Sequence, residues 1–306
     1  MKKLFHIQTL LLITTLLATS CQEDIIIDTE EGEAKIGIFG GITTDTKQHA
    51  ITISKTAPFY ATADIEMVSN ASVRIVDQTS HDTFLLKESE RGVYLTDPMA
   101  GVVGHTYLLD VTVPDNKETL HFSSQSQIDY ACPEKIDSIQ VHEFTIFEEV
   151  NEDIYKICPF FQTAKQNLYY LFDLEINGRM YSDTLHKKAR LHLGALSGFY
   201  YNGIEMSLIY KDLNIYPSGI FNLDQTIEEN VLHVGDTIAI TMYSVPKGYY
   251  NYLGDISGSI GSNPLMGSPT NVRTNITGKE KEAVGYFYAA SCIHFEQTIK
   301  SLPRTE

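Results

Sequence analysis

From Ala34 to Asp129, apolar and polar positions alternate along the chain with period two. Ile36 and Ile38 alternate with Lys35 and Gly37, Ile51 and Ile53 with Thr52 and Ser54, and Val73 and Ile75 flank Arg74. The longest run sets Tyr107, Leu109, Val111 and Val113 against Thr106, Leu108, Asp110 and Thr112. A period of two sends one set of side chains into a core and the other into water, as in a half-buried β-strand. Turn-forming residues separate the runs at Thr44–Lys47, Glu90-Arg91-Gly92, Asp97-Pro98 and Pro114-Asp115-Asn116. About seven short strands at this spacing predict an immunoglobulin-like β-sandwich over residues 34–129. The chain has no Trp, so the Cys…Trp…Cys pattern of antibody domains is absent.

Residues 130–134 mark a boundary, and strand patterns resume beyond it. Tyr170, Phe172, Leu174 and Ile176 alternate with Leu171, Asp173, Glu175 and Asn177, and Asn177-Gly178 supplies the residues of a tight hairpin turn. Ile238, Ile240 and Met242 form another alternating face. The period then changes. Pro246 suits a first helical position, and Tyr249, Leu253 and Ile256 fall on one helical face with Tyr252 beside them. This predicts a helix near residues 246–258. Ala283 to Ile299 reads as a closing strand. The expected architecture is mainly β: the sandwich, then a larger β-sheet or barrel domain over residues 134–306 carrying one helix.

The N-terminus follows a different logic. Lys2 and Lys3 precede an apolar run from Leu10 to Leu17, and Ala18-Thr19-Ser20 lead into Cys21. The run is shorter than the ~20 apolar residues that a membrane-spanning helix needs. A basic start, a short apolar stretch and small residues before a cysteine describe a lipoprotein signal over residues 1–20, with Cys21 as the lipidated new N-terminus. Ala18 stands where leucine is usual, so cleavage by ordinary signal peptidase after Ser20 is the alternative. Residues 21–33 are rich in Glu and Asp and read as an acidic tether. Lipidation makes the expected contact with the membrane one through the anchor only.

Charge narrows the partners. The formal net charge is −16, and removing the signal leaves 21 basic against 39 acidic residues. That balance argues against nucleic acid, which requires basic surface to displace phosphate counterions. Of four cysteines, Cys21 is taken by lipid, leaving Cys132, Cys158 and Cys292 in a compartment that permits disulfides. Cys132 and Cys158 both precede proline and open neighbouring segments, so a Cys132–Cys158 bridge is the best pairing; three buried thiols are the alternative. The spacings match no zinc site.

Short motifs in order along the chain resemble a known family. They run from Ile38-Phe39-Gly40-Gly41-Ile42-Thr43 through Ile53-Ser54-Lys55-Thr56-Ala57-Pro58-Phe59, Asn70-Ala71-Ser72-Val73 and Gly92-Val93-Tyr94. Pro98, Gly101, Gly104-His105-Thr106-Tyr107 and Ile136-Asp137-Ser138-Ile139 follow, then Asn263-Pro264-Leu265, Asn275-Ile276 and Gly285-Tyr286-Phe287. The chain resembles the Bacteroidetes outer-membrane lipoprotein family catalogued as domain of unknown function 4249. It departs from that pattern at Lys279-Glu280-Lys281-Glu282, where glycines are usual, and at Cys292. The resemblance implies an accessory lipoprotein beside a TonB-dependent transporter, in the outer membrane and exposed at the cell surface, with the periplasmic face as the alternative. Gln22-Glu23-Asp24 looks like the acidic export signal of such lipoproteins.

No catalytic signature stands out. The chain has no Gly-x-Ser-x-Gly elbow, no His-Glu-x-x-His helix and no phosphate-cradling glycine loop. No cofactor and no metal site is expected. Phe199, Tyr200 and Tyr201, and then Tyr249, Tyr250 and Tyr252, are dense aromatic groups, and tyrosine suits binding surfaces because an apolar ring carries a polar tip. These six form the candidate binding surface, with sheet and helix packing as the competing explanation. The leading expectation is a non-enzymatic ligand- or partner-binding lipoprotein. A surface glycan hydrolase and a structural or adhesive module are the alternatives.

Overall fold

A computed structural model describes residues 34–56, 65–115, 118–145, 153–161, 168–181, 189–193, 221–224, 231–261, 272–302 and 304–305. Its strands, in chain order, are β1 (Ile36–Thr43), β2 (Ala50–Lys55), β3 (Ser72–Asp77), β4 (Thr83–Leu85), β5 (Lys87–Glu90), β6 (Val93–Leu95), β7 (Thr106–Asp115), β8 (Glu118–Gln127) and β9 (Ile136–Thr145). They continue as β10 (Asp153–Phe161), β11 (Leu168–Ile176), β12 (Arg179–Met180), β13 (Ala189–Leu193), β14 (Phe221–Asp224), β15 (Thr237–Ser244), β16 (Thr277–Gly278), β17 (Ala283–Thr298) and β18 (Arg304–Thr305). Among the described residues one helix, α1 (Lys247–Gly261), lies between β15 and β16. The protein is mainly β.

A nine-stranded sheet forms the spine, in the order β12-β11-β15-β17-β1-β2-β6-β5 with β13 also on β11. A five-stranded sheet, β16-β8-β7-β3-β4, and a four-stranded sheet, β14-β10-β9-β18, complete the fold. The sheets stay open among the described residues, so the second half is layered sheets rather than a barrel. The alternation read from the sequence explains the layers. Ile38, Ile51 and Ile53 from the spine meet Val73, Ile75, Leu109 and Val111 from the five-stranded sheet in one core. Tyr170, Phe172, Leu174, Ile238, Ile240 and Met242 meet Ile139, Tyr155 and Ile157 of the four-stranded sheet in a second. On the spine's other face, α1 buries Tyr249, Tyr252 and Leu253 against Leu171, Tyr286 and Ala290.

β17 ties these layers together. Phe287 and Ala289 enter the first core, Ile293 and Phe295 pack against the second, and Tyr286 and Ala290 face the helix. Its first half pairs in parallel with β1, and its second half pairs antiparallel with β15. Gly285 has φ +107, and a Cβ there would stand 2.0 Å from the Ile38 carbonyl oxygen, so only glycine lets the two strands approach so closely. Where β17 lacks a strand neighbour, side chains replace one. Asn275 donates to the Phe287 carbonyl at 2.8 Å and accepts from its N–H at 2.9 Å. Thr44 Oγ1 accepts from the Cys292 N–H at 2.9 Å.

Several local expectations are met. Asn177 (φ 50) and Gly178 (φ 75) turn β11 into β12, the left-handed pair a tight hairpin requires. Pro246 sits one residue ahead of α1, and its carbonyl accepts from Tyr249 and Tyr250. The boundary at residues 130–134 does not separate two bodies. Residues 34–306 form one compact unit, because β1 and β17, from opposite ends of the chain, are hydrogen-bonded neighbours.

Candidate functional site

Strand alternation puts Lys35, Gly37 and Phe39 on the face of β1 opposite the core residues Ile36 and Ile38, and Thr52 and Ser54 on the matching face of β2. The register places Phe39 beside Thr52 and Gly37 beside Ser54 on one side, and Val284 beside Gly37 on the other. Together these residues form the floor of an open groove of about 1040 Å³. Tyr252 and Ile256, four residues apart on α1, make one wall. Val272, Thr274, Ile276, Thr277 and Gly278 make the opposite bank, and Ile65 stands at the mouth.

Specific bonds hold the bank. Arg273 grips Asp255 of α1 with its guanidinium, Nη2 to Oδ1 at 3.0 Å, and its backbone N–H reaches Oδ2 at 3.3 Å. Such a bidentate pair fixes orientation as well as distance. Thr274 Oγ1 accepts from the Ile276 N–H at 3.0 Å, and Asn275 is fastened to β17 as described above. The bank is therefore anchored to the helix at one point and to the sheet at the next.

Charge enters the groove at one end. Lys35 Nζ lies 2.6 Å from Glu282 Oε2, with the two side chains 46% and 81% exposed. The hydrogen bond from Lys35 holds the Glu282 carboxyl below its ordinary range. Both groups stay wet, so the pair holds only weakly. At the other end burial pushes the Tyr252 hydroxyl up to about 12, so it is neutral at physiological pH. Between the ends the lining is aliphatic and hydroxyl-bearing. A smaller cavity of about 250 Å³ lies among Ile139, Val141, Ile238 and Gln297. There the Gln297 amide already satisfies both the N–H and the carbonyl of Ile139.

The described part of the aromatic surface expected from the sequence meets the groove at Tyr252 alone. Tyr249 and Tyr252 are 2% and 6% exposed and belong to the core between α1 and the sheet, which for Tyr249 corrects the assignment to a binding surface. Tyr249 stacks on Tyr288 at 4.1 Å, and Phe39 lies 6.2 Å from Tyr252. Burial raises the Tyr249 hydroxyl well above its ordinary pKa. Tyr250 is half-buried, its ring 5.1 Å from that of Tyr169. Of these three described tyrosines, Tyr252 also lines the groove. The helix buries its tyrosines because the sheet beneath it offers Tyr286 and Tyr288 as an aromatic platform. Phe199, Tyr200 and Tyr201, like Cys21, lie outside the described residues.

Cys132, Cys158 and Cys292 form no disulfide with one another, which corrects the Cys132–Cys158 bridge. Cys158 is buried in the second core. Cys132 approaches the carbonyls of Met242 and Ser291 at 3.4 and 3.3 Å, and burial pushes its pKa up to about 11. The two cysteines precede proline in similar local sequence, but β10 carries Cys158 into the strand ladder while Cys132 lies over β17. Cys292 contacts Asp45 at 3.2 Å. Burial opposes ionisation of Asp45, yet bonds from Thr43, Lys47 and Cys292 outweigh it and hold that carboxyl at about 2.

Among the described residues no group of three or more His, Cys, Asp or Glu side chains is placed to hold a metal ion. No described helix is long and apolar enough to cross a membrane. The groove itself escaped the sequence reading because its lining comes from stretches more than two hundred residues apart. The one local signal was a polar face in β1 and β2 made of small residues, Gly37, Thr52 and Ser54, where long charged side chains are usual. Comparison with known proteins agrees with the motif order: the family model described as Domain of unknown function (DUF4249) matches residues 22–292. No curated protein matches the chain.

Proposed function

We propose a function for a chain that belongs to the DUF4249 family: a lipid-anchored outer-membrane binding protein that holds a ligand in its groove beside a TonB-dependent transporter. The observation that carries the binding part is the groove, about 1040 Å³ of mixed aliphatic and hydroxyl lining beneath α1. Sites that hold small molecules are concave and mostly apolar with a few placed polar groups, and this lining has that character. Its acidic and basic side chains among the described residues, Lys35 and Glu282, are bonded to each other. That arrangement supports recognition rather than bond-making chemistry. The anchoring part rests on Lys2, Lys3, the apolar run and Cys21, and the transporter part on family resemblance.

Three experiments test the parts separately. Radiolabelled palmitate enters the wild type and not Cys21→Ser; equal labelling of both removes the anchor. Cross-linking in intact cells followed by affinity purification from solubilised outer membrane recovers a TonB-dependent transporter; recovery of other proteins alone removes that partner. Extraction of the purified Cys21→Ser protein with organic solvent releases a small molecule, and Thr52→Arg, which fills the groove floor, releases none. Equal extracts from both, with both folded, place the ligand elsewhere.

A further inference from the structure

We infer that the groove's ligand is an anionic amphiphile, a single aliphatic chain ending in a carboxylate, lying along β1 with its head at Lys35 and its tail towards Phe39 and Tyr252. This rests on the groove reading above and adds the ligand's chemistry. The polarity of the lining sets the direction. Lys35 and Glu282 lie at one end, and Phe39 and Tyr252 lie at the other, four residue steps along the strand, about 13 Å. Between them Val284, Ile256 and Val272 contribute branched aliphatic side chains. Ile65 at the mouth is 65% exposed and Val272 37%, so apolar side chains face water along the open side. An aliphatic tail would remove that surface from water.

The head follows from the ion pair. Glu282 is 81% exposed and is held by Lys35 alone among the groups that lower its pKa. An exposed pair of this kind is loosely held, so an incoming carboxylate displaces Glu282 from Lys35 at little cost. The reverse exchange, a cation displacing Lys35 from Glu282, is opposed by geometry. Lys35 is the less exposed partner, its side chain 46% exposed against 81% for Glu282. The cation therefore belongs to the site, and the carboxylate is the part that swings out. Thr52, Ser54, Thr274 and Thr277 add hydroxyl-bearing residues to the lining, and the Thr274 hydroxyl is already engaged by the Ile276 N–H.

The two charged residues give opposite signs, which a structural role does not. The mature chain carrying Cys21→Ser is titrated calorimetrically with dodecanoate, dodecyltrimethylammonium and dodecyl maltoside, each below its micelle concentration. Dodecanoate binds more tightly than the other two. Lys35→Gln weakens dodecanoate about fivefold, the most an exposed charge pair usually supplies. Glu282→Gln tightens it by removing the competitor. Thr52→Arg and Thr274→Arg, one from the floor and one from the exposed bank, abolish binding, and thermal melts confirm that each variant is folded. No binding of dodecanoate overturns the inference, as does a preference for the cationic head with Glu282→Gln weakening it. Equal binding of all three heads, blocked by both arginines, overturns the head group but leaves the groove as a ligand site. Binding that both folded arginine variants retain overturns the groove reading itself.

Discussion

His49 is 2% exposed, and its Nε2 lies 3.0 Å from the Met99 carbonyl. Burial lowers its pKa below the ordinary 6.5, although the Met99 bond opposes this. Asp77 is also buried; burial works against its charge, but bonds from His105, Ser80 and Thr79 outweigh it and hold its pKa below 3.8. Both groups bind protons more readily in the unfolded chain, so both stabilise the fold above their unfolded pKa values and lose that contribution as pH falls through the folded ones. The His49 contribution goes first, below about pH 6.5. The urea midpoint of the wild type should therefore fall between pH 7 and pH 5, and His49→Gln should flatten that decline; a wild-type midpoint constant over this range contradicts the assignment. The thiols give a second check at this scale. Peptide mapping without reduction should recover the Cys132 and Cys158 peptides unlinked, whereas a cross-linked pair would contradict the observed core.

Among the elements, β17 has the most demanding environment. Among the described residues half of each of its edges lacks a strand, and Asn275 supplies two of the missing bonds through Phe287. Asn275→Ala should cost about 2 kcal/mol, because two backbone groups lose their partner in a part-buried place. Hydrogen exchange at Phe287 should quicken more than at its neighbours; unchanged exchange there would mean that water replaces the side chain without cost. α1 shows what sequence patterns resolve and what they miss. Its place and its inward face were legible from the spacing of Tyr249, Leu253 and Ile256. Whether its tyrosines form a binding surface or pack on the sheet was not, because an amphipathic pattern identifies a buried face but not the aromatic platform on β17 that covers it. The hairpin at Asn177-Gly178 was legible for the opposite reason: its turn chemistry is contained in two residues.

For the whole molecule, the parallel pairing of β1 with β17 decides the domain structure. The strands within residues 34–129 were legible from alternation, but the spine sheet is completed by residues 283–290, and no local pattern announces a neighbour nearly 250 positions away. Phe287, Ala289, Ile276 and Ala283 also fill its core. Urea unfolding followed by far-ultraviolet dichroism and by tyrosine fluorescence should therefore give one coincident transition, and residues 34–129 alone should not fold; two separated transitions would restore two independent domains. The same long-range closure assembles the groove, whose floor comes from β1, β2 and β17, whose wall comes from α1, and whose bank comes from residues 272–278. The groove is thus a property of the whole fold and of none of the motifs. The most direct measurement is calorimetric titration of the Cys21→Ser chain with dodecanoate, wild type beside Thr52→Arg. Saturable binding in the wild type that vanishes in a folded Thr52→Arg is the predicted result, and binding of equal strength in both would contradict the groove as the site of function.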